Sequence, residues 1–377
     1  MPAHSPQPAK LTAVWDLPVR LYHWLQVLLV AIAALTGFFL GGRWIDVHIW
    51  AGAAIAALVA ARIVWGFAGS TYARFSSFIV SPRTVLSHVR ELRSGTAHPH
   101  LGHNPLGAVM IIALLLAVAG LTLTGTATLG GVFKRGPAAF VLSYAQGTSA
   151  REMHEILAYA FMALIGLHIA GALFESARTG ENLTKAMVTG KKVLEPLAHQ
   201  AKGVRARPLA ALASLAFLFG AAIPAGFALS ARTPSGMPTP TYDPSYIQEC
   251  TACHMAYNPS LLPADSWRAL MADLDDHFGE DASLDPDTED AITAWLTANS
   301  AETADTKPAN VFRHVDAASP YELTETRFWK RMHGDIPDSV FKTSPINTKG
   351  NCKACHSDAE GGSFYPGNIN IPKEASK

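Results

Sequence analysis

The chain has 377 residues, 49% hydrophobic and only 16% charged, and its 30 basic and 30 acidic side chains cancel to a net charge of zero. Nothing in the chain resembles a nucleic-acid surface, a phosphate-cradling glycine loop or a nucleophilic triad, and the length allows two or three domains. Apolar residues dominate up to about residue 230 and polar ones from about 232 onward, so a membrane-embedded half precedes a water-soluble half.

Five stretches approach the roughly 20 apolar residues that a bilayer core requires. They lie at 19–42, 46–68, 104–128, 152–175 and 208–230. The loop after the second carries Arg74, Arg83, Arg90 and Arg93, and the loop after the fourth carries Lys185, Lys191, Lys192, Lys202, Arg205 and Arg207. The opposite loops hold only Arg43, Lys134 and Arg135, with Arg151 at a span edge. The positive-inside bias therefore predicts a cytoplasmic N-terminus and, after five crossings, an external C-terminus.

Four histidines fall in or at the ends of these spans: His23, His48, His154 and His168. An ionisable group in lipid is costly unless it serves a site. His154 and His168 share one span and lie 14 residues apart, roughly 21 Å along a helix and on nearly the same face. By topology His23 shares the inner depth with His168, and His48 the outer depth with His154.

The fifth stretch admits two readings. Arg205 and Arg207, the apolar run from Pro208 and the small residues Ala225–Ala231 resemble a secretory signal cut near Ala231, or the stretch stays as a membrane anchor. The anchor is the reading taken here. The proline-rich piece Thr233–Pro244 then reads as a semi-rigid tether.

Beyond it stand two copies of Cys-x-x-Cys-His, Cys250–Cys253–His254 and Cys352–Cys355–His356, which use all four cysteines. Two thiols reach the vinyl groups of one porphyrin while the adjoining imidazole coordinates the iron, so the pattern predicts two covalently attached c-type haems. A zinc ribbon also uses two such cysteine pairs, but a histidine directly after both and nearly 100 intervening residues argue against it. Attachment of this kind occurs outside the cytoplasm, on the side the loop charges select. Each c haem also needs a distal ligand, and the candidates are His277, His314, His333, Met255, Met271 and Met332. Ser266–His277 and Asp287–Asn299 have helical apolar spacing; no strand pattern and no repeat beyond the haem motifs is evident.

Beside a c-type domain, two cross-helix histidine pairs at two depths suit two b haems with bis-imidazole ligation. Asn104, next to His103 at the inner start of the third span, is a candidate hydrogen-bonding partner for a quinone, although Asn-Pro is also an ordinary helix start. Arg74 and Arg151, at the inner and outer boundaries, are candidates for haem propionates, with the positive-inside bias the simpler account of Arg74. His98 and His100 read as a metal site or as solvated loop residues. The acidic run from Asp273 to Asp290 reads as a steering surface for a basic partner or as plain solvated surface.

The membrane half resembles the bacterial cytochrome b561 family, whose superfamily includes the cytochrome b subunits of nickel-iron hydrogenases and formate dehydrogenases. The resemblance rests on Val14-Trp-Asp-Leu-Pro-Val-Arg-Leu-Tyr-His-Trp-Leu, Tyr72-Ala-Arg-Phe, His103-Asn-Pro-Leu-Gly and the span holding His154 and His168. It implies a four-helix di-haem b core exchanging electrons with quinone, with His23 paired to His168 and His48 to His154. The soluble half resembles the di-haem cytochrome c family through Cys250–His254, Leu262-Pro-Ala-Asp-Ser-Trp, His277-Phe-Gly-Glu-Asp-Ala-Ser-Leu, Phe328-Trp-Lys-Arg-Met-His333, Asn351–His356 and Gly361-Gly. That resemblance implies His277 as the distal ligand of the first c haem and His333 of the second.

The expected architecture is all-α: a four-helix transmembrane di-haem b bundle, a fifth anchor helix, and a small helix-and-loop di-haem cytochrome c domain. The expected segments are a cytoplasmic 1–18, the b domain at 19–178, a cytoplasmic loop at 179–207, the fifth helix at 208–230, a linker at 231–245 and the periplasmic c domain at 246–377. The expected role is electron transfer in a bacterial inner membrane between the quinone pool and a periplasmic acceptor or donor such as a soluble cytochrome, as a relay or as a quinol:cytochrome c-type oxidoreductase. A membrane subunit of a separate dehydrogenase or hydrogenase is the alternative. Some members of the resembled b family act on superoxide, but that chemistry needs no c haems. A homodimer is compatible with the pattern.

Overall fold

The structure, a computed structural model, describes residues 11–193, 203–238, 241–315 and 319–372. Lys202 and positions 239–240 of the expected tether lie outside the described residues. The described residues form two compact units. One takes 11–39, Val47–Gly125 and Glu152–Ala225; the other takes Leu40–Asp46, Thr126–Arg151 and 226–372.

Asp16 fixes where the first helix, α1 (Leu17–Ala34), begins. Its Oδ1 accepts the Val19 N–H at 2.9 Å, while Pro18 supplies a φ suited to a first turn. The helix ends in a π-helical turn, Leu35–Phe39. There follow α2 (Ile45–Ala68), α3 (Pro82–Ser94, capped by Ser81), α4 (Pro105–Gly131), α5 (Tyr144–Thr179), α6 (Leu183–Thr189, capped by Asn182) and α7 (Pro208–Ser230). Among the described residues five helices are long and apolar enough to cross a membrane: Leu17–Phe39, Gly42–Ala68, Pro105–Gly131, Tyr144–Thr179 and Pro208–Ser230. The fourth begins earlier than the 152 expected, because charged Arg151, Glu152 and Glu155 end an apolar run without breaking helical hydrogen bonding.

Large apolar side chains such as Phe39, Leu116, Leu123 and Phe217 face outward from these helices. That surface suits lipid rather than water. Inside the first unit, Leu29, Val30 and Ala33 of α1 meet Ile55 and Val59 of α2, Leu114 and Val118 of α4, and Phe161 and Ile165 of α5. This apolar layer lies midway along α5 between His154 and His168, since Phe161 is seven residues from each. One expectation is corrected: β1 (Leu11–Ala13) pairs antiparallel with β2 (Lys191–Val193). Three residues are too few for strand alternation to show in a sequence.

The second unit contains α8 (Pro244–Cys250), α9 (Ala264–Met271), α10 (Pro286–Ala298), α11 (Lys307–Phe312), α12 (Arg327–His333) and α13 (Asp338–Phe341). The helix expected over 266–277 instead stops at Met271, and a 3-10 turn follows at Leu274–Asp276. The aspartates at 273, 275 and 276 favour turns, where their side chains compete for backbone groups. Tyr246, Leu262, Trp267, Met271, Ile292 and Leu296 form one core, with Cys250 packed against it. Phe341 and Ile346 centre a second, with Cys355 against it. Each Cys-x-x-Cys-His motif therefore has its own apolar cluster.

The expected tether is pinned within this unit. Ser235 N–H donates to Ala139 O at 2.9 Å, Asp305 N–H donates to Gly236 O at 2.7 Å, and the Arg232 guanidinium lies 4.6 Å over the Phe140 ring. Lys134 Nζ donates to Asp305 Oδ2 at 3.1 Å, and Tyr144 N–H reaches the same oxygen at 2.7 Å. Tyr365 Oη donates to Asp46 Oδ1 at 2.5 Å, with Arg135 stacked 3.6 Å over the Tyr365 ring.

Candidate haem-ligating sites

Two imidazoles on one iron place their ring centres about 6.2 Å apart, from metal–nitrogen bonds of about 2.0 Å and a further ~1.1 Å to each ring centre. Four histidine pairs in this chain stand near that separation. His23 and His168 are 6.5 Å apart and His48 and His154 6.1 Å. His254 and His277 are 6.2 Å apart, and His333 and His356 6.1 Å. Nitrogen donors at this spacing fit low-spin haem iron in all four places.

In the first unit, α5 presents both His154 and His168, which face His48 of α2 and His23 of α1 respectively. His48 Nδ1 lies 3.0 Å from Ala33 O, and His154 Nδ1 lies 3.1 Å from Leu121 O. A carbonyl can only accept, so each Nδ1 carries the proton and each Nε2 keeps its lone pair for a metal. His23 Nδ1 is buried with no hydrogen-bond partner among the described residues.

In the second unit His254 Nδ1 lies 2.7 Å from Met255 O, and His333 Nδ1 lies 3.0 Å from Trp329 O, with the two rings of that pair stacked 4.5 Å apart. Burial lowers the pKa of His356, as does neighbouring His333, so the ring stays neutral and able to ligate. Burial likewise lowers His277, assisted by His254. No disulfide joins the four cysteines, and burial pushes the Cys250 and Cys352 thiols up to about 11. Among the other distal candidates, Met271 is a core residue, Met255 is buried, and Met332 and His314 are exposed.

The remaining site candidates hold other contacts. Asn104 caps α4, its Oδ1 accepting from Gly107 N–H at 2.7 Å, and its side chain also bonds Glu175. Arg74 donates to Gly69 O at 2.8 Å and to Arg205 O at 3.1 Å, so its guanidinium clasps two backbone carbonyls. Arg151 is exposed on α5 and lies close enough to Lys307 to depress that ammonium's pKa, after burial. His103 sits between Trp15 and Phe78 at 4.6 and 4.7 Å with Nδ1 buried; burial and then the Arg62 and Lys192 charges push it down to about 3. His100 faces His88, their rings 5.5 Å apart, and His88 is buried.

Two features escaped the sequence reading. Arg62, inside the second span, is buried beside Tyr22 and Asp16, and its Nη1 has no hydrogen-bond partner among the described residues. Arg20 Nε is in the same state, and Lys192 is buried near His103. Nearby Asp16 is already engaged by Val19 N–H, Trp65 Nε1 at 3.0 Å and Ser70 Oγ at 2.5 Å. The unpartnered Arg62 Nη1 and Arg20 Nε fit the carboxylates of a haem held by His23 and His168, whereas Lys192 Nζ already donates to His100 O at 3.3 Å. An arginine within an apolar span was the available signal. The second feature is a tripeptide, Leu-Thr-Gly, present at 35–37 and at 123–125 beneath the His48–His154 pair.

Residues 14–190 match the family described as prokaryotic cytochrome b561, and residues 246–364 match that described as dihaem cytochrome c. Similar proteins include a probable Ni/Fe-hydrogenase B-type cytochrome subunit of Rhodobacter capsulatus, 25% identical over 213 residues, 48% of this chain and 81% of that protein. The counterpart from Cupriavidus necator is 26% identical over 216 residues, 49% of this chain and 88% of that protein. Among solved structures, a DHC purified from Rhodobacter sphaeroides is 40% identical, covering 33% of this chain and 98% of that one, with a TM-score of 0.27. A diheme cytochrome type c from Shewanella baltica is 37% identical, covering 34% and 93%, with a TM-score of 0.28.

Proposed function

The chain belongs to the prokaryotic cytochrome b561 family over residues 14–190 and to the dihaem cytochrome c family over residues 246–364, and from that premise we propose that it carries electrons between the quinone pool and a partner outside the inner membrane. It is a membrane electron-transfer protein carrying b-type and c-type haem. Bound haem supplies one-electron ferric/ferrous chemistry; the side chains decide where each iron is held and how readily it is reduced.

In this reading His23 with His168 hold an inner b haem and His48 with His154 an outer one. Cys250, Cys253 and His254 with distal His277 hold the first c haem, and Cys352, Cys355 and His356 with distal His333 the second. The observation that carries the proposal is the recurrence of one imidazole spacing, 6.1 to 6.5 Å, at all four pairs. Arg62 and Arg20 would hold the inner propionates, and Arg151 an outer one. The loop arginines and lysines favour a cytoplasmic N-terminus and a periplasmic c domain.

Quinol would reach the inner end from the bilayer. An apolar crevice of about 420 Å³ runs between α1, α2 and α7, lined by Leu25, Leu29, Ala57, Ala61 and Phe219, next to the helical turn that bears His23. An isoprenoid tail suits such a crevice, and for the headgroup His103 Nδ1, buried with no hydrogen-bond partner among the described residues, is a better candidate than Asn104, which caps α4 and bonds Glu175. Redox titration of the purified protein with pyridine haemochrome analysis tests the whole assignment. Two b and two c haems are expected, and one b haem should disappear in His168→Ala; survival of both would refute the inner pair.

The names of the relatives favour a second reading, in which this chain is the membrane subunit of a separate hydrogenase or dehydrogenase. A catalytic subunit that co-purifies stoichiometrically would decide for it.

A further inference from the structure

The outer histidine pair rests in two matching cradles. Thr36 Oγ1 donates to Ile32 O at 2.7 Å, which leaves an oxygen lone pair facing His48 Nδ1 at 3.3 Å, and Ala33 O stands 3.0 Å from the same nitrogen. Thr124 Oγ1 donates to Gly120 O at 2.7 Å and faces His154 Nδ1 at 3.1 Å, with Leu121 O also at 3.1 Å. A Cβ on Gly37 would stand 3.1 Å from His48 Cε1, and one on Gly125 3.2 Å from His154 Cε1. The correspondence is position by position: the residue three before the threonine offers its carbonyl, the threonine its oxygen, and the next glycine the room.

The two tripeptides lie in different local backbones, a π-helical turn at 35–39 and a regular α-helix at 123–125. The cradle therefore does not follow from one helical geometry repeated; it follows from Leu-Thr-Gly meeting a histidine. The inner pair differs, since His23 Nδ1 has no hydrogen-bond partner among the described residues.

We propose that the two Leu-Thr-Gly segments are a paired positioning device that fixes the Nδ1–H tautomer of His48 and His154 and lowers the reduction potential of the outer b haem. It rests on the reading of His48 and His154 as that haem's ligands. Two acceptors on each Nδ1–H make the ring a stronger electron donor at Nε2, which favours ferric over ferrous iron. Thr36 and Thr124 are positioning residues, acting through the imidazoles, and Gly37 and Gly125 set how closely each ring approaches its helix.

The test uses the full-length, haem-loaded protein. Thr36→Val and Thr124→Val keep the side-chain shape and remove the oxygen, and Thr→Ser at each position restores it. Redox titration resolves the two b haems, with the outer one assigned by its absence from His154→Ala. The outer midpoint should rise in each valine variant and further in the double variant, return towards the wild-type value with serine, and leave the inner b haem and both c haems unmoved. Gly37→Ala should shift the low-field g value of the outer ferric haem by tilting His48. An unchanged outer midpoint in both valine variants would overturn the proposal. So would loss of the outer haem from valine and serine variants alike, which would assign the threonines to helix packing. The ligand reading fails separately: His154→Ala retaining both b haems would refute it whatever the threonine variants do.

Discussion

Lys134 Nζ and Asp305 Oδ2, 171 positions apart in the sequence, meet at 3.1 Å, and the lysine is almost wholly buried. Asp305 also accepts from Tyr144 N–H and from Asn310 Nδ2, so one carboxylate gathers the 126–151 loop and the haem c segment into a single unit. Asp305→Ala should therefore lower the stability of that unit by roughly 1–3 kcal/mol, the cost of leaving buried donors unmatched. Thermal unfolding followed at the c-type Soret band measures it, and a wild-type midpoint would contradict the role given to Asp305.

The same carboxylate gives a pH dependence. Burial alone would raise its pKa, but the Tyr144 N–H, Asn310 and Lys134 hold it below the ordinary value. A depressed folded pKa means the contribution is present above the unfolded value of about 3.9 and is lost as pH falls through the lower folded value. The stability gap between wild type and Asp305→Asn should thus be full at pH 6 and close as pH falls through the lowered folded value. A gap that persisted in acid would sink this reading.

At the first c haem, His277→Met exchanges an imidazole for a thioether. Methionine favours ferrous iron, so the midpoint should rise, within the roughly 0.8 V range over which axial ligands act. His333→Met should do the same at the second c haem only. Potentiometry with separate haem signals checks both, and an unmoved midpoint would point to a different distal ligand.

Arg62→Leu removes a buried cation beside the inner pair. A positive charge favours the reduced, less positive iron, and at an effective dielectric near 20 a unit charge is worth roughly 1–4 kcal/mol over nearby distances. The inner b haem should fall in potential by about 40–170 mV, at roughly 59 mV per tenfold for one electron, while the outer haem stays in place. A rise, or an equal fall at both haems, would exclude Arg62 from the inner propionates.

Much of this molecule was legible in the sequence because its chemistry is spaced in the chain. Cys250–His254 and Cys352–His356 are contiguous motifs, and His154 and His168 are 14 residues apart on one helix, so periodicity alone aligned them. Arg62 is less legible, since a lone arginine inside a span reads equally as a snorkelling side chain until packing shows it buried. The Asp305 hub could not be read at all, since Lys134, Tyr144 and Asp305 are brought together only by tertiary packing. The helix drawn through Asp273 failed because apolar spacing ignores the turn preference of three nearby aspartates.

The side chains of Ile55, Val59, Val118 and Phe161, which lie between the two histidine depths, are hydrocarbon and carry no exchangeable proton. Current crossing this layer would be carried by electrons alone. Each electron moved through that layer would then feel the membrane voltage, at about 2.3 kcal/mol per 100 mV across the full thickness, and the energised state of the cell would set how fast this wire runs.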